Sequence, residues 1–258
     1  MLKILSNSDK EKLVDFCLGS ITGTRISCYA LSYGFERSFV TFWGEFKDNE
    51  PVTVVALFDS ALTVLSSDDT DFSELSEFLN MIPWQTLTAY ESCVNSLGYT
   101  DYITKQGYRF NGTAAESSLC VVPSEEDMQS IYSLISRVIP DSFSMENEAY
   151  LSFLSDYTFR KTRGYSRALC IKHDSSVVSS VITSAENDSF AVISGVACDE
   201  KIRKNGYGKK TVLALIDMLA KLDKSCFVIA LNESAEGFYE HIGFEKDEKI
   251  STVTRKVI

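Results

Sequence analysis

The chain has 258 residues, of which 45% are apolar, and its formal net charge is −11. This length suits one large or two small globular domains, and the apolar content is sufficient for a core. The acidic balance argues against nucleic-acid binding as the main function, because such surfaces need clustered positive charge. It favours cationic small-molecule partners only weakly, since solubility alone explains many acidic proteins.

Cysteine and histidine usage indicates a reducing compartment and no metal site. Seven cysteines are scattered without a C-x-x-C pair, and His173 and His241 are the only histidines. The first stretch, MLKILSNSDKEKLVDF, has no apolar region of signal-peptide length. The apolar run VTVVALFDSALTVL is interrupted by Asp59 and Ser60 and cannot span a bilayer. We therefore expect a cytoplasmic protein without a membrane partner.

The first half of the chain alternates between helical and strand patterns. Apolar periodicity and turn signals predict two helices, three strands, a helix, a strand and a helix. They lie at 8–17, 22–32, 38–46, 51–58, 61–67, 71–82, 84–90 and 90–99. The third strand and the following helix are joined by DDTD, which contains neither a glycine nor a cation.

A loosened stretch rich in Gly, Asn, Thr and Ser at 111–118 predicts a boundary between domains at 1–112 and 116–258. The second half then repeats the element order of the first. Its predicted helices lie at 123–139, 145–157, 209–222 and 234–244. Its predicted strands lie at 167–173, 177–184, 189–198, 225–231 and 249–258. We interpret this repetition as an internal duplication; the alternative is that two unrelated α/β units share an element order. In the helix at 209–222, one apolar face is predicted, comprising Val212, Leu215, Leu219 and Leu222.

The stretch RKNGYGKK, residues 203–210, lies between a predicted strand and an amphipathic helix. Gly206 and Gly208 allow the backbone to approach an anion, and the helix N-terminus presents unpaired N–H groups. With four cations in eight residues, the stretch is predicted to hold a phosphate. Its spacing matches neither G-x-x-x-x-G-K-[ST] nor G-x-G-x-x-G. The alternative is a glycine-rich turn with solvated lysines.

Further along, NESAEGFYEHIGF contains the pattern N-x-x-A-x-x-x-Y at Asn232, Ala235 and Tyr239. The combination of R-x-x-G-x-G after a strand with this second pattern resembles the GNAT superfamily of N-acetyltransferases. The resemblance covers residues 116–258, and the first half resembles a degenerate copy of the same fold. It implies an α/β fold with a mixed β-sheet that splays open, flanked by helices, in two tandem halves.

The resemblance also implies that acetyl-CoA is the co-substrate and lies in the opening of the sheet. The loop would hold its pyrophosphate, the preceding strand would pair with its pantetheine arm, and the asparagine would contact that arm. The residues that match the family's cofactor-binding positions are Val196, Ala197, Cys198, Arg203, Lys204, Asn205, Gly206, Tyr207, Gly208, Lys209, Asn232 and Tyr239.

Acetyl transfer to an amine needs a neutral amine, a polarised carbonyl and a stabilised leaving thiolate. Tyr239 is a candidate acid for the thiolate, although it could equally serve packing on its helix. Many family members carry a carboxylate on the strand before the loop, whereas here Ser194 is the only polar side chain in that apolar run. The base is expected to be Glu186 or water, or a carboxylate such as Glu146 or Glu148.

The leading hypothesis is an enzyme that transfers an acetyl group from acetyl-CoA to a primary amine on a small acceptor. A rival from another class is a non-catalytic acyl-CoA-binding regulatory or interaction module, which the missing strand carboxylate favours. The residues leave open whether another acyl group is transferred. They also leave open the acceptor and the oligomeric state, because acceptor sites are built from variable loops.

Overall fold

A computed structural model describes residues 1–140, 145–174 and 176–255. The chain divides into two compact units that are not consecutive in sequence. Unit 1 comprises Met1–Tyr108, Ile229–Gly237 and Lys246–Ile258, and unit 2 comprises Arg109–Val228 and Phe238–Glu245. Residues late in the chain therefore contribute to the first unit.

The elements up to residue 110 follow the predicted order. They are β1 Lys3–Ile4, α1 Lys10–Phe16, α2 Ile21–Tyr33, β2 Val40–Lys47, β3 Glu50–Phe58, β4 Ala61–Ser66, α3 Phe72–Met81, β5 Thr86–Tyr90, α4 Glu91–Ser96 and β6 Ile103–Phe110. The turn between β2 and β3 is formed by Asp48 and Asn49, which both have positive φ, at 49° and 69°. Short polar residues tolerate this conformation, so the local sequence accounts for the hairpin.

The sheet of unit 1 has the strand order β1-β2-β3-β4-β5, followed by the last strand of the chain, β12 (Phe244–Thr254), and then β6. Strands β2, β3 and β4 are antiparallel, whereas β5 is parallel to β4 and pairs with it only over Ala61–Thr63. Helices cover both faces of this sheet. Val54 packs with the α1 and α2 side chains, while its neighbour Val55 packs with those of α3, as the alternation of a strand requires.

The remaining elements build the second half. They are β7 Cys120–Val121, α5 Glu125–Val138, α6 Asn147–Lys161, β8 Ala168–His173, β9 Ser176–Glu186, β10 Phe190–Cys198, α7 Tyr207–Ala220, β11 Ser225–Ile229, α8 Glu233–His241 and the strand β12. Helix α5 begins at a capping box in which Ser124 and Asp127 satisfy each other's backbone N–H groups.

In unit 2 the strand order is β11-β10-β9-β8-β7. Strands β7 to β10 are antiparallel, and β11 is parallel to β10. Helix α5 covers one face, where Ile131 and Ile135 pack with Ile182 of β9. On α7, the apolar side chains Val212 and Leu215 are completely buried. Unit 2 thus repeats the element order of unit 1: three antiparallel strands, a helix, a parallel strand and a helix.

The structure confirms the mixed α/β fold and the order of the predicted elements, and it adds three unpredicted strands, β1, β6 and β7. One predicted core residue is wrong: Leu222 lies beyond the end of α7 and is 45% exposed. The predicted last strand begins earlier, at Phe244, and its residues 256–258 lie outside the described residues. The boundaries 1–112 and 116–258 for two functional domains remain a prediction.

Candidate active site

The N-terminus of α7 starts at a glycine rather than at a side chain that caps it. Gly206 is the N-cap residue with φ 75° and ψ 5°, a left-handed conformation, and no side chain accepts a hydrogen bond at this cap. Lys204, two residues earlier, also has a positive φ of 70°. Such a conformation strongly favours glycine. The left-handed backbone conformation therefore accounts for a glycine at position 206.

Three backbone N–H groups in the first turn of α7 have no carbonyl partner within the helix, and that of Gly208 contacts the Cys198 thiol. The Lys210 N–H donates to the Gly206 carbonyl at 3.0 Å, so the N–H groups of Tyr207, Gly208 and Lys209 precede the helical hydrogen-bond ladder. These groups and the helix dipole together favour an anion at this end.

Neither conformation nor packing explains the second glycine of the loop. Gly208 has no positive φ, and a Cβ atom placed there would lie 3.8 Å from Cζ of Phe238, which is ordinary van der Waals contact. An alanine would therefore fit the protein. A glycine at this position leaves the surface of the first turn bare, as the close approach of a phosphate requires.

The side chains around this helix end are cationic and mostly exposed. Arg203 donates through Nε to the Cys198 carbonyl at 3.4 Å and lies 3.4 Å from the exposed carboxylate of Glu200. Burial raises the pKa of the Cys198 thiol, while Arg203 and a hydrogen bond from the Gly208 N–H oppose that rise. Cys198, Arg203 and Gly208, all predicted to bind the cofactor, therefore lie together.

Two further predicted loop residues, Asn205 and Tyr207, make contacts within the protein. Asn205 donates through Nδ2 to the Ile202 carbonyl at 3.0 Å, which shapes the turn before Gly206. The Tyr207 hydroxyl lies 3.3 Å from Nε2 of His173, at the tip of the hairpin between β8 and β9. His173 is exposed, and its ring meets that of Tyr207 edge-on with centroids 5.8 Å apart.

Strand β10 is open along the edge that leads to the loop. Its parallel pairing with β11 ends at Ile193 and Val228, whereas its antiparallel pairing with β9 continues to Cys198. The predicted cofactor-binding residues Val196, Ala197 and Cys198 therefore follow the point where the sheet splays. An unpaired strand edge of this kind can bind an extended ligand through its backbone.

Unit 1 has a different arrangement at the equivalent position. There the connection between β4 and α3 is Asp68-Asp69-Thr70-Asp71. Asp71 is the N-cap residue of α3, and its Oδ1 accepts hydrogen bonds from the Ser73 and Glu74 N–H groups at 3.0 and 3.1 Å. A carboxylate of the protein thus occupies the place that an anionic ligand would take.

The structure places Tyr239 in the core of unit 2, close to the loop. It is 6% exposed, and its ring centroid lies 5.3 Å from that of Phe238 and 5.4 Å from that of Phe244. Phe238 also faces Gly208 and so connects Tyr239 with the first turn of α7. Burial raises the pKa of the Tyr239 hydroxyl, which keeps it protonated at neutral pH.

Asn232 immediately precedes α8, in a segment that belongs to unit 1. Its Oδ1 accepts a hydrogen bond from the Ala235 N–H at 3.0 Å, so the side chain caps the helix.

The geometry argues against the predicted role of Glu186 as a general base. Glu186 is completely buried at the end of β9, where its carboxylate is paired with Arg167 and, at 2.8 Å, with Lys224. Thr183 donates a further hydrogen bond to it at 2.7 Å. A completely buried carboxylate that is paired with two cations is not exposed to an incoming amine. Glu146 and Glu148, by contrast, are exposed at the start of α6.

One feature of the site was missed from the sequence. Strand β10 contains a β-bulge between Ser194 and Ala197, where Gly195 has φ 55°. A glycine inside a strand pattern is the signal that predicts a bulge or a close backbone approach.

Two features of the described residues concern the predictions for metals and membranes. Over residues 1–140, 145–174 and 176–255, no group of three or more His, Cys, Asp or Glu residues is arranged to hold a metal ion. None of the helices in this part of the chain is long and apolar enough to cross a membrane. The cytoplasmic location remains a prediction.

An uncapped helix end with two glycines thus lies next to the strand β10, whose pairing with β11 ends at Ile193. Residues 128–244 match the profile of the acetyltransferase (GNAT) family. This part of the chain is therefore a GNAT-family domain, and the family and fold support acyl transfer as its chemistry. No curated protein matches the chain by sequence.

Solved structures show the same fold over the whole chain. A tandem GNAT protein from the clavulanic acid biosynthesis pathway is 13% identical with a TM-score of 0.63, covering 100% of this chain and 99% of that one. A GNAT-family acetyltransferase from Colwellia psychrerythraea is 11% identical with a TM-score of 0.61, covering 99% and 100%. A Drosophila protein is 15% identical with a TM-score of 0.61, covering 98% of each chain.

Proposed function

We propose that the second half of this protein binds acetyl-CoA and transfers its acetyl group to a primary amine on a small acceptor. The observation that carries this proposal is Gly208, because the protein has room for a Cβ atom there and yet presents bare backbone. That backbone lies at a helix end that no side chain caps.

In this proposal, two regions of the protein contact a single acetyl-CoA molecule. The N–H groups of the first turn of α7 hold the pyrophosphate, and the cations Arg203, Lys204 and Lys209 supplement them. The open edge of β10 at Val196–Cys198 pairs with the pantetheine arm.

Acetyl-CoA supplies an activated acyl carbon and a thiolate leaving group. The protein contributes a backbone N–H of β10 that polarises the carbonyl and a Tyr239 hydroxyl that gives its proton to the thiolate. The amine loses its proton to water, directly or through an exposed carboxylate such as Glu146 or Glu148. The new C–N bond replaces the C–S bond, and the products are an amide and a free thiol.

A second candidate function is a non-catalytic acyl-CoA-binding module. It is favoured by Ser194, which provides no carboxylate on β10. It is also favoured by Glu186, whose carboxylate is already paired with Arg167 and Lys224. In this case the cofactor-binding residues would keep their roles, and Tyr239 would serve packing alone.

Turnover of acetyl-CoA against a panel of primary amines separates the two functions. Release of the free thiol and formation of the acetylated amine, above the rate without protein, would support the enzyme. Tight binding of acetyl-CoA without turnover on any amine would favour the binding module. Absence of binding would contradict both functions.

A further inference from the structure

The bulge of β10 has a shape that only glycine can take. Ser194 pairs with Ile182 and Ala197 pairs with Ser180, so Gly195 and Val196 together lie opposite a single residue of β9. A Cβ atom on Gly195 would lie 2.7 Å from Cγ1 of Ile182 and would also collide with Ile135 of α5. The bulge is therefore built into the packing between α5 and the sheet.

A buried serine holds the peptide group at the centre of this bulge. Ser180 is completely buried on β9, and its hydroxyl donates to the Gly195 carbonyl at 3.2 Å. None of the described peptide bonds is cis. Because C=O and N–H point in opposite directions across a trans peptide, this bond directs the Val196 N–H away from Ser180.

The Gly195–Val196 peptide lies on the part of β10 that is no longer paired with β11. Pairing between β10 and β11 has already ended at Ile193, so Val196 lies on the part of β10 that has lost its partner strand. Backbone N–H groups here are the donors that the proposed reaction needs next to the thioester carbonyl. A donor contributes most when its direction is fixed before the substrate binds.

We propose that Ser180 is a positioning residue that fixes the Gly195–Val196 peptide so that the Val196 N–H is oriented for the thioester carbonyl. This role rests on the proposed acetyl transfer. Ser180 itself touches no reacting atom, and it acts only through the carbonyl that it holds. The role concerns transfer rather than affinity, because the pyrophosphate contacts lie on α7.

The chain offers a matched control for this serine. Ser184 also lies on β9, and its hydroxyl donates to a carbonyl of β10, that of Val192, at the same distance of 3.2 Å. Val192 lies within the segment of β10 that is paired with β11. Ser184→Ala therefore removes the same kind of hydrogen bond without affecting the open part of the strand.

The test compares Ser180→Ala and Ser184→Ala by two measurements on the full chain. In the ligand-free protein, the ¹⁵N order parameter of Val196 should fall from the rigid value of about 0.85 towards about 0.6 in Ser180→Ala only. With acetyl-CoA and an amine, kcat of Ser180→Ala should fall about tenfold or more, while the Kd for acetyl-CoA changes by less than about threefold.

The two measurements distinguish failure of the inference from failure of the function. An unchanged Val196 order parameter in folded Ser180→Ala would overturn the inference, and so would an equal loss of kcat in both variants. If the wild-type protein acetylates no amine, the proposed function fails. The order parameter then still decides whether Ser180 holds this peptide.

Discussion

The two glycines of the loop meet different physical needs. Gly206 is required by a left-handed backbone conformation, whereas Gly208 adopts a conformation open to any residue and has space for a side chain. A sequence pattern cannot separate these cases, because both positions contain the same residue. The structure assigns the conformational need to Gly206, and we assign the ligand contact to Gly208.

Gly208→Ala should therefore weaken acetyl-CoA binding while leaving the protein folded. The added methyl group lies on the first turn of α7, where it keeps a phosphate from approaching the N–H groups. Loss of one charge-assisted hydrogen bond costs about 1.5–3 kcal/mol, so we expect the Kd to rise about 10- to 100-fold. Isothermal titration calorimetry measures this change.

Gly237→Ala is the matched control for this substitution. Gly237 is also helical, on α8, and a Cβ atom there meets no other atom within 4 Å. Both alanines should stabilise their helices, by up to about 1 kcal/mol. Equal affinities for acetyl-CoA in the two variants would show that Gly208 is not a ligand contact.

Tyr239→Phe should lower kcat about 10- to 100-fold and leave the affinity for acetyl-CoA nearly unchanged. The substitution keeps the ring contacts with Phe238 and Phe244 and removes only the proton donor. Because burial raises the pKa of this hydroxyl, wild-type donation should persist at least up to the ordinary tyrosine value of about 10. Steady-state kinetics against pH measures both effects.

Tyr157→Phe provides the comparison for loss of a buried hydroxyl. Tyr157 is 2% exposed in unit 2, and its hydroxyl has no hydrogen-bond partner among the described residues. Removal of this group should leave kcat unchanged and stability the same or higher. If Tyr239→Phe also kept full activity, Tyr239 would be a packing residue and the thiolate would need another donor.

At the scale of elements, Glu186 connects the starts of two strands with the end of a third. Arg167 directly precedes β8, Lys224 directly precedes β11, and Glu186 ends β9 between them. All three side chains are largely buried. This pairing fastens one end of the unit 2 sheet, opposite the end of β10 that leads to the loop.

Glu186→Gln should destabilise the protein strongly without a catalytic effect. Removing one partner of a buried ion pair costs about 3–5 kcal/mol, because the remaining charges lose their compensation. Urea unfolding measures this loss, and kcat of the folded variant should match the wild-type value. Asp188→Asn, which alters the exposed partner of Tyr165 in the same turn, should cost less than about 0.5 kcal/mol.

Glu186→Gln with normal stability and a large loss of kcat would restore Glu186 as a candidate base.

The partners of Glu186 explain why its role could not be predicted. Arg167 and Lys224 are 19 and 38 residues away in sequence, so no local pattern connects them. The loop and α7 were predictable because turn residues and helical periodicity are local signals. Strand β6 was missed, since ITKQGYRF lacks a clear apolar alternation.

At the scale of the whole molecule, the two units repeat one element order but differ at the helix start that follows the third antiparallel strand. Both contain a parallel strand pair that ends early and leaves the preceding strand with an open edge. Unit 2 follows this edge with a basic, glycine-containing helix start, and unit 1 follows it with a self-capped acidic one. The element order was readable from the sequence. The position of β12 in the sheet of unit 1 was not, because strand pairing is set by distant partners.

The central claim is that acetyl-CoA binds this protein through the helix start of the second half. Calorimetric titration of the full wild-type chain with acetyl-CoA tests it most directly, because the stoichiometry reports on both units at once. We predict one site per chain, since Asp71 already satisfies the equivalent helix end in unit 1. Two equivalent sites per chain, or no site at all, would contradict this account.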